Sequence, residues 1–164
     1  MSVPRQLLAV RILALIVVVV AIDQLVKGFI IKTLSLGASR PLVPGLLDLS
    51  YRQNPGVAFS ALPHASAYVL IALNLLVMGI FVTVMLPRVQ TRGGWVALAL
   101  VCGGAIGNLI DRIRWHFVID YLDFHFWPVF NIADASIVIG VGLLLFTLRF
   151  SNRVPMPSTG GDHP

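Results

Sequence analysis

Residues 8–30 read LAVRILALIVVVVAIDQLVKGFI. A helix needs about 20 mostly apolar residues to cross a hydrocarbon core, and this run meets that length. Its charges are Arg11 near one end and Asp23 and Lys27 near the other. Arg5 and Arg11 followed by an apolar run resemble a signal peptide. No small-residue cleavage pattern follows, so the segment is expected to remain as a signal anchor.

Working outward, three more segments have this character, at about 67–86, 95–112 and 133–150. The third is the shortest by apolarity and reaches its length only if the helix continues through Asp111. No series of alternating ten-residue segments marks a β-barrel. The expected fold is therefore mainly α, an integral membrane bundle of four transmembrane helices with a small extracytoplasmic β-containing loop at about 31–66. Residues 1–150 form one membrane unit, and 151–164 are predicted to be a disordered cytoplasmic tail.

Composition agrees. Of 164 residues, 57% are hydrophobic and 12% charged, about half the charged share of soluble domains. All acidic residues are aspartate. A net charge of +5 raises nucleic acid as a partner, but the basic residues cap apolar segments and form no stripe, which excludes it. Membrane lipids with anionic headgroups are the expected partners. The single cysteine, Cys102, permits no internal disulfide and reads as a small buried hydrophobe.

Four crossings put both termini on one side. Arg88 and Arg92 lie in a very short loop and the terminal arginines flank their spans closely, whereas the opposing basic residues are spread over a long loop. By the density of positive charge both termini are assigned to the cytoplasm. Connectivity then collects Asp23, Lys27, Asn54, Asn108, Asp111, Arg112, Asp120, Asn131 and Asp134 at the opposite, extracytoplasmic face. Within the first loop, Leu47, Leu49 and Tyr51 alternate with Asp48, Ser50 and Arg52, a half-buried strand pattern, ended by the turn Asn54-Pro55-Gly56.

Several of these residues carry two readings. Asp23 and Lys27 are spaced as a helical ion pair, either self-neutralising with Lys27 snorkelling outward or bracing a site. Gly103 and Gly107 suit helix packing, while Gly104, Asn108 and Asp111 or Arg112 share a helical face. Arg112 pairs either with Asp111 or with a buried carboxylate. Asn131 and Asp134 suit a helix cap and its first-turn acid. Asp120 alone, and more so Asp123, suits a wet loop. Together, however, Asp120 and Asp134 lie in one apolar stretch, VIDYLDFHFWPVFNIADASIV, and a carboxyl at a lipid boundary is costly unless it has a function. Trp115, Phe117, Tyr121, Phe124, Phe126, Trp127 and Phe130 read as an interfacial belt. His116 and His125 lack the company of a zinc site, so neither a metal nor another cofactor is expected.

Five blocks in order resemble the lipoprotein signal peptidase family, also called signal peptidase II: Asp23-Gln24 with Lys27; Asn54-Pro55-Gly56-Val57-Ala58-Phe59; Gly103 to Arg112; Val118-Ile119-Asp120-Tyr121; and Phe130-Asn131-Ile132-Ala133-Asp134. The resemblance implies a bacterial inner-membrane aspartyl peptidase, functional as a monomer. It would cut the signal peptide from a lipid-modified prolipoprotein just before its diacylglyceryl cysteine, and globomycin-type cyclic peptides would inhibit it. By matching motifs Asp120 and Asp134 would be catalytic, with Asp23, Lys27, Asn54, Gly104, Asn108, Arg112, Asn131 and Ala133 supporting or contacting substrate. The rival from another class is a small proton-coupled transporter using the same aspartates.

Overall fold

The computed structural model of the chain describes residues 5–56, 66–89 and 91–151. Val57, Ala58 and Phe59 of the second block, and the tail from residue 152 on, lie outside the described residues. The elements run α1 (Arg5–Thr33), β1 (Ser39–Val43), β2 (Leu47–Asn54), α2 (Ala67–Met85), α3 (Arg92–Trp115), β3 (Val118–Asp123) and α4 (Ile132–Ser151). All four helices are long and apolar enough to cross a membrane. The third extends beyond its predicted ends, from Arg92 to Trp115, and the fourth includes Ser151, predicted to begin the tail.

Small residues place α3 at the centre of the bundle. Lipid tails are as apolar as leucine, so helices in a bilayer associate where small side chains let backbones approach. Two ladders of four-residue spacing run along α3. Gly103, Gly107 and Asp111 face Val19, Asp23 and Lys27 of α1; Gly104 and Asn108 face Ala133, Asp134 and Ile137 of α4. At Gly104 a Cβ would stand 2.3 Å from the Ala133 carbonyl oxygen, and at Gly107 one would stand 2.6 Å from Asp23 Oδ2. Only glycine permits either approach.

At its far end α3 closes on His116, whose φ of 65° is left-handed, a conformation that commonly ends helices. The chain thereby reverses into β3. The sheet has the order β1-β2-β3, antiparallel throughout. Two of its strands were not anticipated. β1 contains Pro41, which removes a ladder donor and is tolerated at an edge. β3 shows no apolar–polar alternation in its sequence because apolar residues occupy both of its faces: Ile119 and Tyr121 join a buried cluster with Ile30, Leu34 and Tyr51, while Val118 and Asp120 line a cavity. That alternation follows the two-residue period of a strand.

Four sequence readings need correction here. Asp120 is no wet loop residue but lies in β3 at 3% exposure. Asp123 ends the same strand and accepts hydrogen bonds from Ser50 Oγ at 3.4 Å and His125 N at 3.0 Å. Tyr121 belongs to the core at 1% exposure, not to the belt, because its place in β3 turns it toward α1. The alternation expected in β2 also fails, since Ser50 and Tyr51 are both buried; the register against β3 shifts between Leu49 and Arg52, and a bulge breaks the two-residue period.

Candidate active site

The start of α4 is built by one amide. Asn131 Oδ1 accepts from Asp134 N at 2.9 Å, and Asp134 Oδ2 accepts from Asn131 N at 3.3 Å. This reciprocal cap satisfies two amides that a helix start otherwise leaves open. The bland reading of Asn131 and Asp134 thus holds, and it is incomplete. Asn131 is fully buried, and its Nδ2 donates to Asp120 Oδ1 at 2.7 Å, with longer contacts to Asn108 Oδ1 at 3.2 Å and Ile119 O at 3.3 Å. One side chain therefore holds both Asp120 and Asp134.

The other amides complete the arrangement. Asn54, two residues along from the strand position opposite Asp120, donates through Nδ2 to Asp120 Oδ2 at 3.0 Å. Asn108 donates through Nδ2 to Asp134 Oδ1 at 2.7 Å. Its orientation is fixed from behind: Lys27 Nζ donates to Asn108 Oδ1 at 3.0 Å, and an ammonium can only donate, so the NH2 group must face Asp134. Asp120 and Asp134 line one cavity of about 450 Å³ together with Asn54, Asn108 and Arg112. Its remaining wall is apolar and includes Ile137, Val138 and Ile139 of α4, of which Val138 and Ile139 also face outward from the bundle. The cavity thus flanks the bilayer.

Beneath the pair lies a buried charge cluster. Lys27, at 1% exposure, reaches Asp23 Oδ2 and Asp111 Oδ2, each at 2.8 Å. All three ammonium protons are used, and the expectation that Lys27 snorkels outward is overturned: on the face of α1 toward α3 it has two carboxylates to neutralise it. Gln24 Nε2 ties the same carboxylates, at 2.9 Å to Asp111 Oδ1 and 3.2 Å to Asp23 Oδ2. Both carboxylates also anchor backbone. Asp23 Oδ1 accepts from Ala133 N and Asp111 Oδ2 from Ile119 N, both at 3.1 Å. Ala133 directly precedes Asp134 and Ile119 directly precedes Asp120. Each member of the pair is positioned by an adjacent amide held on a buried aspartate.

Arg112 does not pair with Asp111, which faces α1. Its Nη2 donates to Gly56 O at 3.1 Å, and the Gly56 N–H in turn donates to Asn54 Oδ1 at 3.0 Å. Arg112 thus secures the turn that presents Asn54. Burial and the nearby charge of Asp134 push the Asp120 carboxyl up to about 7, against the opposing hydrogen bonds of Asn54 and Asn131. Among the described residues no cluster of His, Cys, Asp and Glu has metal-binding form. His116 and His125 stand apart, His125 facing Asp48 at 3.1 Å.

Of the site candidates, Asn54, Asn108, Arg112, Asp120 and Asp134 line the cavity, and Asp23, Lys27, Gly104, Asn131 and Ala133 lie behind it. What the sequence reading assigned too weakly is Asp111, set beside Arg112 as its partner, and Gln24. The usable signal was helical phase: Asp111 continues the Gly103–Gly107 row, whereas Arg112 continues the Gly104–Asn108 row.

Fold and site together define a multi-pass membrane protein with a pair of buried carboxyls at one end of its bundle. The chain belongs to the signal peptidase (SPase) II family, which matches residues 15–150. A lipoprotein signal peptidase of Halothermothrix orenii is 41% identical over 142 residues, covering 85% of this chain and 95% of the relative. One from Syntrophotalea carbinolica is 43% identical over 143 residues, covering 82% and 89%. A solved structure described as a bacterial membrane enzyme, determined by the in meso method at 2.3 Å, superposes with a TM-score of 0.81 at 29% identity, covering 89% of this chain and 93% of that one.

Proposed function

We propose that the chain is an aspartyl endopeptidase that removes the signal peptide from prolipoproteins, with Asp120 and Asp134 as its catalytic pair. The observation that carries this reading is that Asn131 donates to both carboxyls at one cavity wall, through Nδ2 to Asp120 and through its backbone N–H to Asp134. Membership of the signal peptidase II family agrees with it.

Two neighbouring carboxyls do not readily ionise together, so the pair holds one proton. The ionised member takes a proton from a water molecule as its oxygen attacks the scissile carbonyl carbon. The protonated member hydrogen-bonds the carbonyl oxygen, and a proton passed to the departing amide nitrogen completes cleavage. Asn54, Asn108 and Asn131 direct their NH2 groups at the carboxyls and fix where each oxygen pair points. The Arg112 guanidinium adds positive potential at the cavity wall for the developing oxyanion.

The apolar flank along α4 supports a substrate held in the bilayer. A diacylglyceryl group on the cysteine after the cleavage point would lie in lipid with the scissile bond at the carboxyl pair, which supplies positioning at little entropic cost. On this reading residues 1–150 act as one unit and as a monomer, the two carboxyls and the amides that hold them all belonging to one chain. The termini and tail 151–164 are cytoplasmic and the pair faces outward. The membrane is the bacterial inner membrane, and globomycin-type cyclic peptides compete for the cavity. The transporter reading has no second site to relay a proton: among the described residues the end of the bundle remote from Asp120 carries arginines and no carboxylate.

The test is incubation of purified protein with lipid-modified and unmodified prolipoprotein. Cleavage before the modified cysteine alone is expected. Equal cleavage of both forms removes the role of the lipid, and cleavage of neither removes the activity.

A further inference from the structure

The end of the bundle away from the carboxyl pair has a cleft of its own. It holds about 180 Å³ between the first half of α1 and the start of α3. Arg11 and Arg92 flank it near the helix ends, and Ile12, Leu15, Val96 and Ala99 line it toward the bilayer. Both arginines are exposed, and among the described residues neither meets a carboxylate. All the described aspartates lie at the other end, so no described carboxylate neutralises this pair of guanidiniums.

The chemistry of the cleft changes along its length. Guanidinium groups present paired donors that match phosphate oxygens. Arg92 is also the first residue of α3, where the helix dipole favours an anion. Immediately beyond, the walls turn apolar and suit glycerol carbons and the first acyl methylenes. A free phosphate would use only the first part, and an uncharged hydrocarbon only the second. We propose that this cleft binds one anionic glycerophospholipid, with its phosphate between Arg11 and Arg92 and an acyl chain along Ile12, Leu15, Val96 and Ala99. The lipid would brace α1 against α3, the two helices that carry Lys27 and Asp111.

The experiment uses purified full-length protein in micelles, titrated with phosphatidylglycerol, phosphatidylcholine or glycerol 3-phosphate. Bound molecules are counted by native mass spectrometry, with thermal unfolding followed in parallel. One phosphatidylglycerol is expected to stay bound where phosphatidylcholine has dissociated, and to raise the unfolding temperature. Arg11→Gln and Arg92→Gln should each weaken its retention about five-fold, and both together about thirty-fold. Arg149→Gln, at the same end but outside the cleft, should leave it unchanged. Val96→Trp keeps both arginines and should weaken it by filling the apolar part. An unmoved lipid-free transition separates lost lipid from lost fold. Equal retention of the two lipids, equal loss in Arg149→Gln, a double variant that binds as before, or glycerol 3-phosphate binding as tightly as the lipid would each overturn the assignment.

Discussion

Asn54→Ala tests the electrostatics of the carboxyl pair. Asn54 donates at 3.0 Å to Asp120 Oδ2, and this bond favours the charged carboxylate, so its loss must favour the protonated form. Hydrogen bonds to charged groups contribute about 1.5–3 kcal/mol. Asn54 is only half buried, which selects the lower end, and at about 1.4 kcal/mol per pKa unit the shift is about one unit upward. Asp120 holds its proton up to about 7 in the intact protein because burial and the Asp134 charge disfavour its ionisation. On the proposed mechanism Asp120 is assigned the shared proton, and the pair loses its working state as pH rises past that value. The alkaline limb of kcat/KM for cleavage of a lipid-modified precursor, which reports the free enzyme, should move from about 7 to about 8. A lost substrate contact would lower the plateau without moving the limb. A limb that stays in place, or shifts toward acid, refutes the assignment of the shared proton to Asp120.

Other outcomes follow from the same geometry. Asp120→Asn and Asp134→Asn should each remain folded and lose cleavage of the precursor; substantial turnover by either variant sinks the pair. Because the Asp120 carboxyl is raised in the fold from 3.8 to about 7, native protein binds more protons than unfolded protein between these values, and stability falls with pH across that window. The unfolding temperature of Asp120→Asn should thus decline less than that of the parent from about pH 4 to pH 7. Lys27→Met leaves Asp23 and Asp111 facing each other without a cation and should cost about 3–5 kcal/mol by denaturant titration in micelles. Adding Asp111→Asn should recover part of that loss, and the absence of recovery would count against the cluster. Gly104→Ala forces a methyl toward the Ala133 carbonyl oxygen, so it should destabilise by about 1–3 kcal/mol and reduce kcat through Asp134; wild-type stability would show that α3 and α4 do not meet as described.

The spans were legible because twenty apolar residues in a row have few other uses. Connectivity alone then gathered the polar residues at one face, since an even number of crossings fixes which loop ends meet. Sheet pairing was less legible. β3 carries apolar residues on both its core face and its cavity face, so Val118-Ile119-Asp120-Tyr121 shows no apolar–polar alternation in the sequence, and β1 carries a proline that argues against a strand. The buried partners of Lys27 were also obscure. Sequence spacing identifies Asp23 one helical turn away, but Asp111 reaches the same ammonium only because Gly107 lets α1 and α3 close together. Asn131 reads in the sequence as a cap or as a site residue, and the structure shows one side chain that both caps α4 and holds Asp120.

That double duty bears on resistance. A compound that grips the Asn131 amide attaches to the residue that also winds the first turn of α4 and holds Asp120. Escape by substitution there would unravel the helix start and release the acid in the same step, so a mutant freed from the drug would have forfeited the machinery the drug was meant to stop.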